Sequence, residues 1–447
     1  MNISPQASPT LSNQALEPHV LIIGGGIGGL CLAQGLKKHG IPFTIFERDS
    51  SPIARTQGYR LRITHEGYSA LESNLSPSIL ELFRKSVAEF KPGFTFLDPK
   101  TAEIVRPGPG QGPPGPSPPA AVNTEATPSD TSRSSAEPPS WAPPRPNRDL
   151  SRVFTADRLV LRSVLLTGLT EKELQFDMAF KEYTVLPDGR VRVSFENGHQ
   201  AEGTLLIGAD GTYSRVRKQY LASATQLLDT DGRAIYGKTL LAPEIQAVLP
   251  KPALVNTTLI TNKDPHMSLF LEPIRFTQGN PRDLAAHLPS VQDYVYWVLI
   301  SRSRQFLKSD KELYALRPQQ VAELSVEVTK DWHPSIRALF ELQERGLCSL
   351  VSISTMSPEI ERWQSSQVTV MGDAIHAMTP AGIGANVALQ DAGVLLQCFL
   401  EKGVNVSAIA AYEAQMRVYA REAIVNCTGA GKKMYGQPDF QDMKLLD

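Results

Sequence analysis

The sequence predicts an α/β protein interrupted by a mainly antiparallel β-sheet, on three observations. Short apolar strands alternate with helical segments toward both ends of the chain. Between Gly232 and Ile300 the pattern changes to strand-like runs with few helices among them. Glycine-rich turns join several of the strands directly to the helices that follow them.

Element by element, His19–Ile23 is a short apolar strand, Gly28–Gly40 a helix and Phe43–Phe46 a second strand that ends at Glu47. The leucines of Leu159–Leu169 recur at helical spacing. Arg190–Phe195 alternates as a half-buried strand, and Thr204–Gly208 reads as a fully buried one. The β-rich region then supplies Ala234–Leu241, Leu254–Thr261, Met267–Leu271 and Tyr294–Ile300. Pro318–Leu342 is helical, Val368–Met371 is an apolar strand leading through a loop into a helix that ends at Phe399, and Ser407–Gly429 is a C-terminal helix. This pattern divides the chain into a discontinuous nucleotide-binding unit (17–88, 149–222 and 347–430) and an inserted unit (89–105 and 223–346). A Pro-rich stretch, 106–148, makes a third segment.

That stretch holds thirteen of the thirty-four prolines between Pro107 and Pro146, with almost no periodic apolar residues. Proline removes backbone donors, so the segment is expected to be a disordered insertion rather than part of a core. Its Pro116-Ser-Pro-Pro119 pattern suits an SH3-type module, although a tolerated surface loop is the plainer reading. Over the whole sequence the composition is that of an ordinary soluble protein, with 41% hydrophobic and 20% charged residues and a net charge of −1. Such a balance argues against nucleic acid or an anionic membrane as partner, because both demand a basic surface. Four scattered cysteines make neither a disulfide framework nor a zinc site. Residues 1–17 carry no Lys or Arg and no apolar core, so no secretory signal is expected and a cytoplasmic location is predicted.

Three motifs carry the chemistry. Gly24-Gly-Gly26-Ile-Gly-Gly29 lies directly after a strand and before a helix. Its glycines allow a tight turn and close approach of backbone to a pyrophosphate, on which the helix N-terminus aims its free N–H groups. Glu47 closes the next strand, where a carboxylate takes hydrogen bonds from adenosine ribose hydroxyls and disfavours a 2′-phosphate. A tightly held NAD or FAD is therefore expected over NADP. The second motif, Gly208-Ala-Asp210-Gly211-Thr-Tyr-Ser214, also reads as an Asp-Gly turn with Ser214 capping a helix. The third runs Gly372-Asp373-Ala374-Ile-His376 to Pro380-Ala-Gly382-Ile-Gly384-Ala385-Asn386, again between strand and helix. There Asp373 suits a polyol, and the helix beginning near Ala385 suits partial negative charge. His376, close to Asp373, reads as a loop-structuring residue rather than a metal ligand, and no metal site is expected.

In this order the three motifs resemble those of the single-component FAD-dependent monooxygenases of the aromatic hydroxylase class, which includes p-hydroxybenzoate and salicylate hydroxylases and fungal natural-product monooxygenases. The likeness covers nearly all of the chain outside the first fifteen residues and the Pro-rich insertion. It implies a Rossmann-like FAD-binding domain in which Gly24, Gly26, Gly29 and Glu47 hold the ADP half of FAD. Asp373 would bind the ribityl chain, and Pro380, Gly382, Gly384, Ala385 and Asn386 would line the isoalloxazine ring. Asp210 and Gly211 would serve both FAD and a transient NAD(P)H. Arg158 heads a helix reading Arg158-Leu-Val-Leu161-Arg162-Ser-Val-Leu165-Leu166 and would contact FAD. With no second strand–glycine turn–helix unit, the nicotinamide cofactor is expected to bind only transiently. The chain stops near 447, so the thioredoxin-like domain of phenol-hydroxylase relatives is not expected.

By the same likeness, hydride passes from NAD(P)H to FAD, O2 adds at flavin C4a, and the hydroperoxide gives one oxygen to an aromatic, indole-type or polyketide substrate. No catalytic Ser, Cys or metal is required, and none is assigned. Substrate contacts are expected from Tyr236, Phe270, Tyr296 and Trp297 in the β-rich unit, because aromatic rings suit a flat apolar molecule. Adjacent strand residues face opposite sides, so at most one of Tyr296 and Trp297 meets the substrate. Arg60 and His266 are further polar candidates. Hydroxylation, epoxidation and Baeyer–Villiger insertion all fit these motifs, as do NADH and NADPH. A dehydrogenase, a reductase, a halogenase or a non-catalytic flavin-binding regulator are the alternatives. The four tryptophans never fall in the WxWxIP spacing of flavin halogenases.

Overall fold

The computed structural model describes residues 17–52, 60–105, 150–222 and 225–446; the Pro-rich insertion lies outside these. Five parallel strands form the first sheet, in the order Val368–Val370, Leu205–Gly208, Val20–Ile23, Phe43–Phe46, Leu174–Gln175. The three central strands are buried along their whole length, as continuous apolar runs in a covered parallel sheet require. Helices Ile27–Lys38, Gly384–Lys402 and Val406–Tyr435 share a core with these strands. Each of the three motifs leaves the carboxyl end of one of them, so the glycine turn, the Asp-Gly turn and the third loop converge at one sheet edge.

The second sheet has the order Ser349–Met356, Leu227–Leu240, Tyr294–Arg302, His266–Ile274, Thr257–Lys263, Phe94–Leu97, with Lys444–Leu445 added beside Leu227–Leu240. Only its last pair is parallel. The strand Ser349–Met356, which the sequence division groups with the nucleotide-binding unit, pairs antiparallel with Leu227–Leu240 in this sheet. The helical stretch 318–342 is two helices, Pro318–Val328 and Pro334–Glu341, because proline lacks the N–H needed to carry the first through. Both helices cover one face of the sheet, against Ile235, Leu269, Val295, Trp297 and Leu299.

The opposite face is built in rows by strand register. Tyr236, Val298 and Phe270 lie abreast on three neighbouring strands, and Lys238, Tyr296 and Glu272 form the next row. A two-stranded ribbon, Arg60–Ile63 paired with Phe154–Asp157, sits against this face. The helix Arg158–Leu166 follows the ribbon without a break, capped by the Asp157 carboxylate on the N–H groups of Leu159 and Val160. The ribbon thus ties the aromatic sheet to the nucleotide-binding layer.

Candidate active site

The first motif folds as its glycines dictate. Gly24 has φ +111°, and a Cβ there would lie 2.3 Å from the Ala209 carbonyl oxygen, so neither its backbone nor its neighbour admits a side chain. Gly26 differs. Its φ of −76° is ordinary, and among the described residues a Cβ on it would meet nothing beyond its chain neighbours within 4 Å, so the space beside it is open. No side chain caps the helix that begins at Ile27, which leaves its first N–H groups to a ligand. Glu47 is buried and accepts hydrogen bonds from the Gly25 N–H at 2.8 Å and the Asp49 N–H at 2.9 Å.

Arg162 completes this corner, and sequence reasoning gave it no role. Its Nε donates to the Gly25 carbonyl at 3.0 Å, its Nη1 to the Pro52 carbonyl at 2.5 Å, and its Nη2 lies 3.8 Å from Glu47. Helical spacing was the available signal: four residues after Arg158, it is the second arginine on the same helix face. Arg158 itself is half-buried and close enough to Asp373 to favour its charged form.

Asp210 serves its own helix. Its carboxylate accepts from Ser214 Oγ at 2.5 Å and from the N–H groups of Arg215 and Val216. Ser214 in turn caps the Arg217 N–H. Burial pushes the Asp210 carboxyl up, against these hydrogen bonds. Arg217 bridges to the third motif, donating from Nη1 to the carbonyls of Thr212 and Ala374.

In the third motif Asp373 is accessible to solvent while protein encloses it closely enough to raise its pKa, with His376 and Arg158 pulling the other way. That combination marks a residue lining a cleft. His376 is fully buried and points its Nε2 at Asp391, 2.6 Å away, rather than pairing with Asp373. Asp391 also accepts from the Gly372 N–H and the Tyr419 hydroxyl, so this cluster fixes the loop. Pro380 and Gly382 (φ +83°) are exposed, and Gly384 and Ala385 partly so, with no side chain capping the helix at Ile383. Asn386 turns inward: it donates to the Arg62 carbonyl at 2.7 Å and accepts from the Thr64 N–H at 2.8 Å, stapling the helix to the ribbon. Its side chain is spent on protein, whereas the sequence reading placed it beside the flavin ring. Among the described residues no group of three or more His, Cys, Asp or Glu is arranged to hold a metal.

Three of the four aromatic candidates come together. The Tyr236 and Phe270 ring centroids lie 6.5 and 6.1 Å from that of Tyr296, on the face against the ribbon. Trp297 lies on the other face, fully buried, with its indole N–H on Thr239 Oγ1 and its ring 4.9 Å from that of Phe340. Arg60 leans over Phe270 at 5.3 Å, and its Nη1 lies 3.8 Å from where a Cβ on Gly382 would stand. Arg60 therefore stands between the glycine loop of the first layer and the aromatic face of the second.

Residues 179–426, more than half of the chain, match the FAD binding domain family, and residues 22–85 match an NAD(P)-binding Rossmann-like domain. The chain belongs to the FAD-binding domain family. It is 34% identical to the dual O-methyltransferase/FAD-dependent monooxygenase elcB of Phaeosphaeria nodorum and 36% identical to CTB3, a protein of the same description from Cercospora beticola. These matches take in 96% and 95% of this chain but 47% of either relative, so the chain spans about half the length of the curated relatives it matches. Among solved structures, a Photorhabdus luminescens protein provisionally assigned as an FAD-containing monooxygenase superposes with a TM-score of 0.72 at 28% identity, over 93% of this chain and 98% of its own.

The residues present fit FAD. Gly26 has open space beside it that would admit a pyrophosphate, Glu47 is held by Gly25 and Asp49 as a carboxylate that would suit a ribose, and Asp373 offers an accessible carboxylate. The uncapped helix start at Gly384–Ala385 offers N–H groups to an electron-rich ring edge. This FAD-binding chain adds an aromatic wall on the second sheet, across from those loops.

Proposed function

We propose that the protein is an FAD-dependent monooxygenase that consumes NAD(P)H and O2 and hydroxylates or epoxidises an aromatic or polyketide-type small molecule. Bound FAD would supply the hydride acceptor and the oxygen-activating group. One observation carries the reading: Arg60 meets both Phe270 of the Tyr236–Tyr296–Phe270 wall and the Gly382 turn, so a flat substrate on the wall would lie beside the FAD ring.

The chain's own residues have distinct tasks in this scheme. Gly26, Glu47 and Arg162 secure the ADP half, while Asp373 and Arg158 border the ribityl path. Asp210 and Gly211 shape the turn beside which NAD(P)H would bind. The N–H groups at Gly384 and Ala385 would face the electron-rich edge of a bound FAD ring and favour negative charge there. The aromatic wall excludes water and orients the substrate by stacking. Two similar proteins join an FAD-dependent monooxygenase to an O-methyltransferase, which supports a substrate bearing phenolic hydroxyls and a setting in secondary metabolism. No helix among the described residues is long and apolar enough to cross a membrane.

The deciding test is NAD(P)H and O2 consumption by the purified FAD-loaded protein across a panel of phenols, indoles and aromatic polyketides, with product masses recorded. Substrate-stimulated consumption with a gain of one oxygen is expected. Stimulated NAD(P)H oxidation with products that never gain oxygen would replace the monooxygenase by a dehydrogenase or reductase.

A further inference from the structure

We propose that Arg60 recognises an acidic hydroxyl of the substrate and holds it as an oxyanion at the edge of the aromatic wall. The inference deepens the proposed function and rests on it for the substrate's aromatic class.

The charges between the ribbon and the sheet do not balance. Glu272, almost wholly buried, meets two guanidiniums, Arg60 and Arg62, each at 2.6 Å. Burial pushes the Glu272 carboxyl up, but the two arginines outweigh it and hold the group ionised. Thr257 also donates to it, and Thr155 lies within hydrogen-bond distance. The other carboxylate at this junction, Asp157, is taken by Lys238 at 2.7 Å and the Tyr294 hydroxyl at 2.8 Å. Burial and Asp157 keep Tyr294 neutral. Two carboxylates thus face three cations, and one positive charge is left over.

The surplus falls on Arg60. Arg62 also donates to Thr155 Oγ1 at 2.6 Å and stacks over Phe90 at 4.1 Å, so both ends of its guanidinium are committed. Arg60 is nine-tenths buried, pairs with Glu272 through Nη2 alone, and has an Nε with no hydrogen-bond partner among the described residues. Its Nη1 points toward the Gly382 turn, and its guanidinium overhangs the Phe270 ring. A buried donor without a partner is costly, and a fixed cation in an enclosed cleft is costlier still. An anionic oxygen on a ring stacked against Tyr296 and Phe270 would satisfy both. Only the O–H bond breaks: its proton leaves to solvent and its electron pair stays on the oxygen beside Arg60. An ionised hydroxyl also enriches the ring carbons ortho and para to it, the positions an electrophilic oxygen takes.

A unit charge about 4 Å away at an effective dielectric of about 20 lowers the pKa of a phenol by roughly one to three units once desolvation opposes it. The test is calorimetric titration of the FAD-loaded protein near neutral pH with β-naphthol and with its neutral isostere β-methylnaphthalene. Running it in two buffers of different ionisation enthalpy counts the protons released. The unaltered protein is expected to prefer the naphthol by roughly tenfold, through the charge-assisted hydrogen bond, and to release a measurable fraction of a proton. Arg60→Gln should lose both the preference and the release, while still binding the isostere and keeping the flavin absorbance. Arg60→Lys should keep part of both. Naphthol preference and proton release that survive in Arg60→Gln would overturn the proposal, as would an unaltered protein that binds neither probe or shows no preference. Loss of FAD from Arg60→Gln with the preference intact would assign the arginine to the cofactor instead. Failure of the monooxygenase reading looks different, because it shows as missing oxygen gain while the naphthol preference remains.

Discussion

Substituting Gly26 by alanine separates the cofactor cradle from the scaffold that carries it. With φ −76° and ψ 178° the position is extended, where any residue fits, and among the described residues no atom beyond its chain neighbours lies within 4 Å of the added methyl. Two small terms then act on the cofactor-free protein. Alanine restricts the unfolded chain, which stabilises by about 0.4–1 kcal/mol. It is also a poorer residue than glycine before a helix, which costs about as much. The net change is under about 1 kcal/mol. FAD is another matter, because the methyl stands where phosphate oxygens must reach the first N–H groups of the helix. Losing roughly two charged hydrogen bonds, at about 1.5–3 kcal/mol each, weakens FAD binding by about 10²–10⁴-fold. Quenching of flavin fluorescence on titrating the deflavinated protein measures the affinity, and its thermal melt measures the stability. Gly24→Ala is the control. Its methyl would lie 2.3 Å from the Ala209 carbonyl at φ +111°, so several kcal/mol of stability should be lost. A Gly26→Ala protein that binds FAD as the unaltered one does would refute the cradle. One that unfolds like Gly24→Ala would refute the open side.

Arg162→Ala removes the ties to Gly25 and Pro52 and should weaken FAD roughly tenfold in the same titration, whereas an unchanged affinity would return the arginine to the helix surface. Glu272→Gln leaves two guanidiniums against a neutral side chain that is 4% exposed in the parent, and should cost about 3–5 kcal/mol by denaturant unfolding. Because the folded-state Glu272 pKa lies below its ordinary value of 4.5, its contribution is present above that pH and lost as pH falls further, so the variant's stability should decline less in acid. His376 has the opposite sign. Burial lowers its pKa, but the Asp391 carboxylate outweighs this and raises it above 6.5, so its contribution is full below 6.5 and fades as pH rises through the folded-state value. Melting temperature followed upward from pH 6.5 should fall in the parent and stay flatter in Asp391→Asn.

Local pattern determined the layered architecture and the cofactor corner. Val20–Ile23, Leu205–Gly208 and Val368–Val370 are apolar runs ending in glycine-bearing turns, and a strand that ends so can only feed a turn and a helix. The tight glycine turn after Ile23 and the strand that ends at Glu47 were legible for the same reason: they depend on neighbours a few residues away or on the next strand. Tertiary structure decided what needs a distant partner. The ribbon pairs Arg60 with Asp157 across the Pro-rich insertion, and no local periodicity foretells a pairing over that separation. Alternation shows that Tyr296 and Trp297 face opposite ways, but which of them meets the cleft depends on the helices Pro318–Val328 and Pro334–Glu341, which claim the tryptophan's side. Asn386 stands in a motif that suggests ligand contact, yet its side-chain hydrogen bonds go to the ribbon, and His376, read as a loop-structuring residue, finds its partner in Asp391 on the following helix. A buried polar side chain goes where its donors and acceptors are matched, and only the folded chain brings those partners within reach.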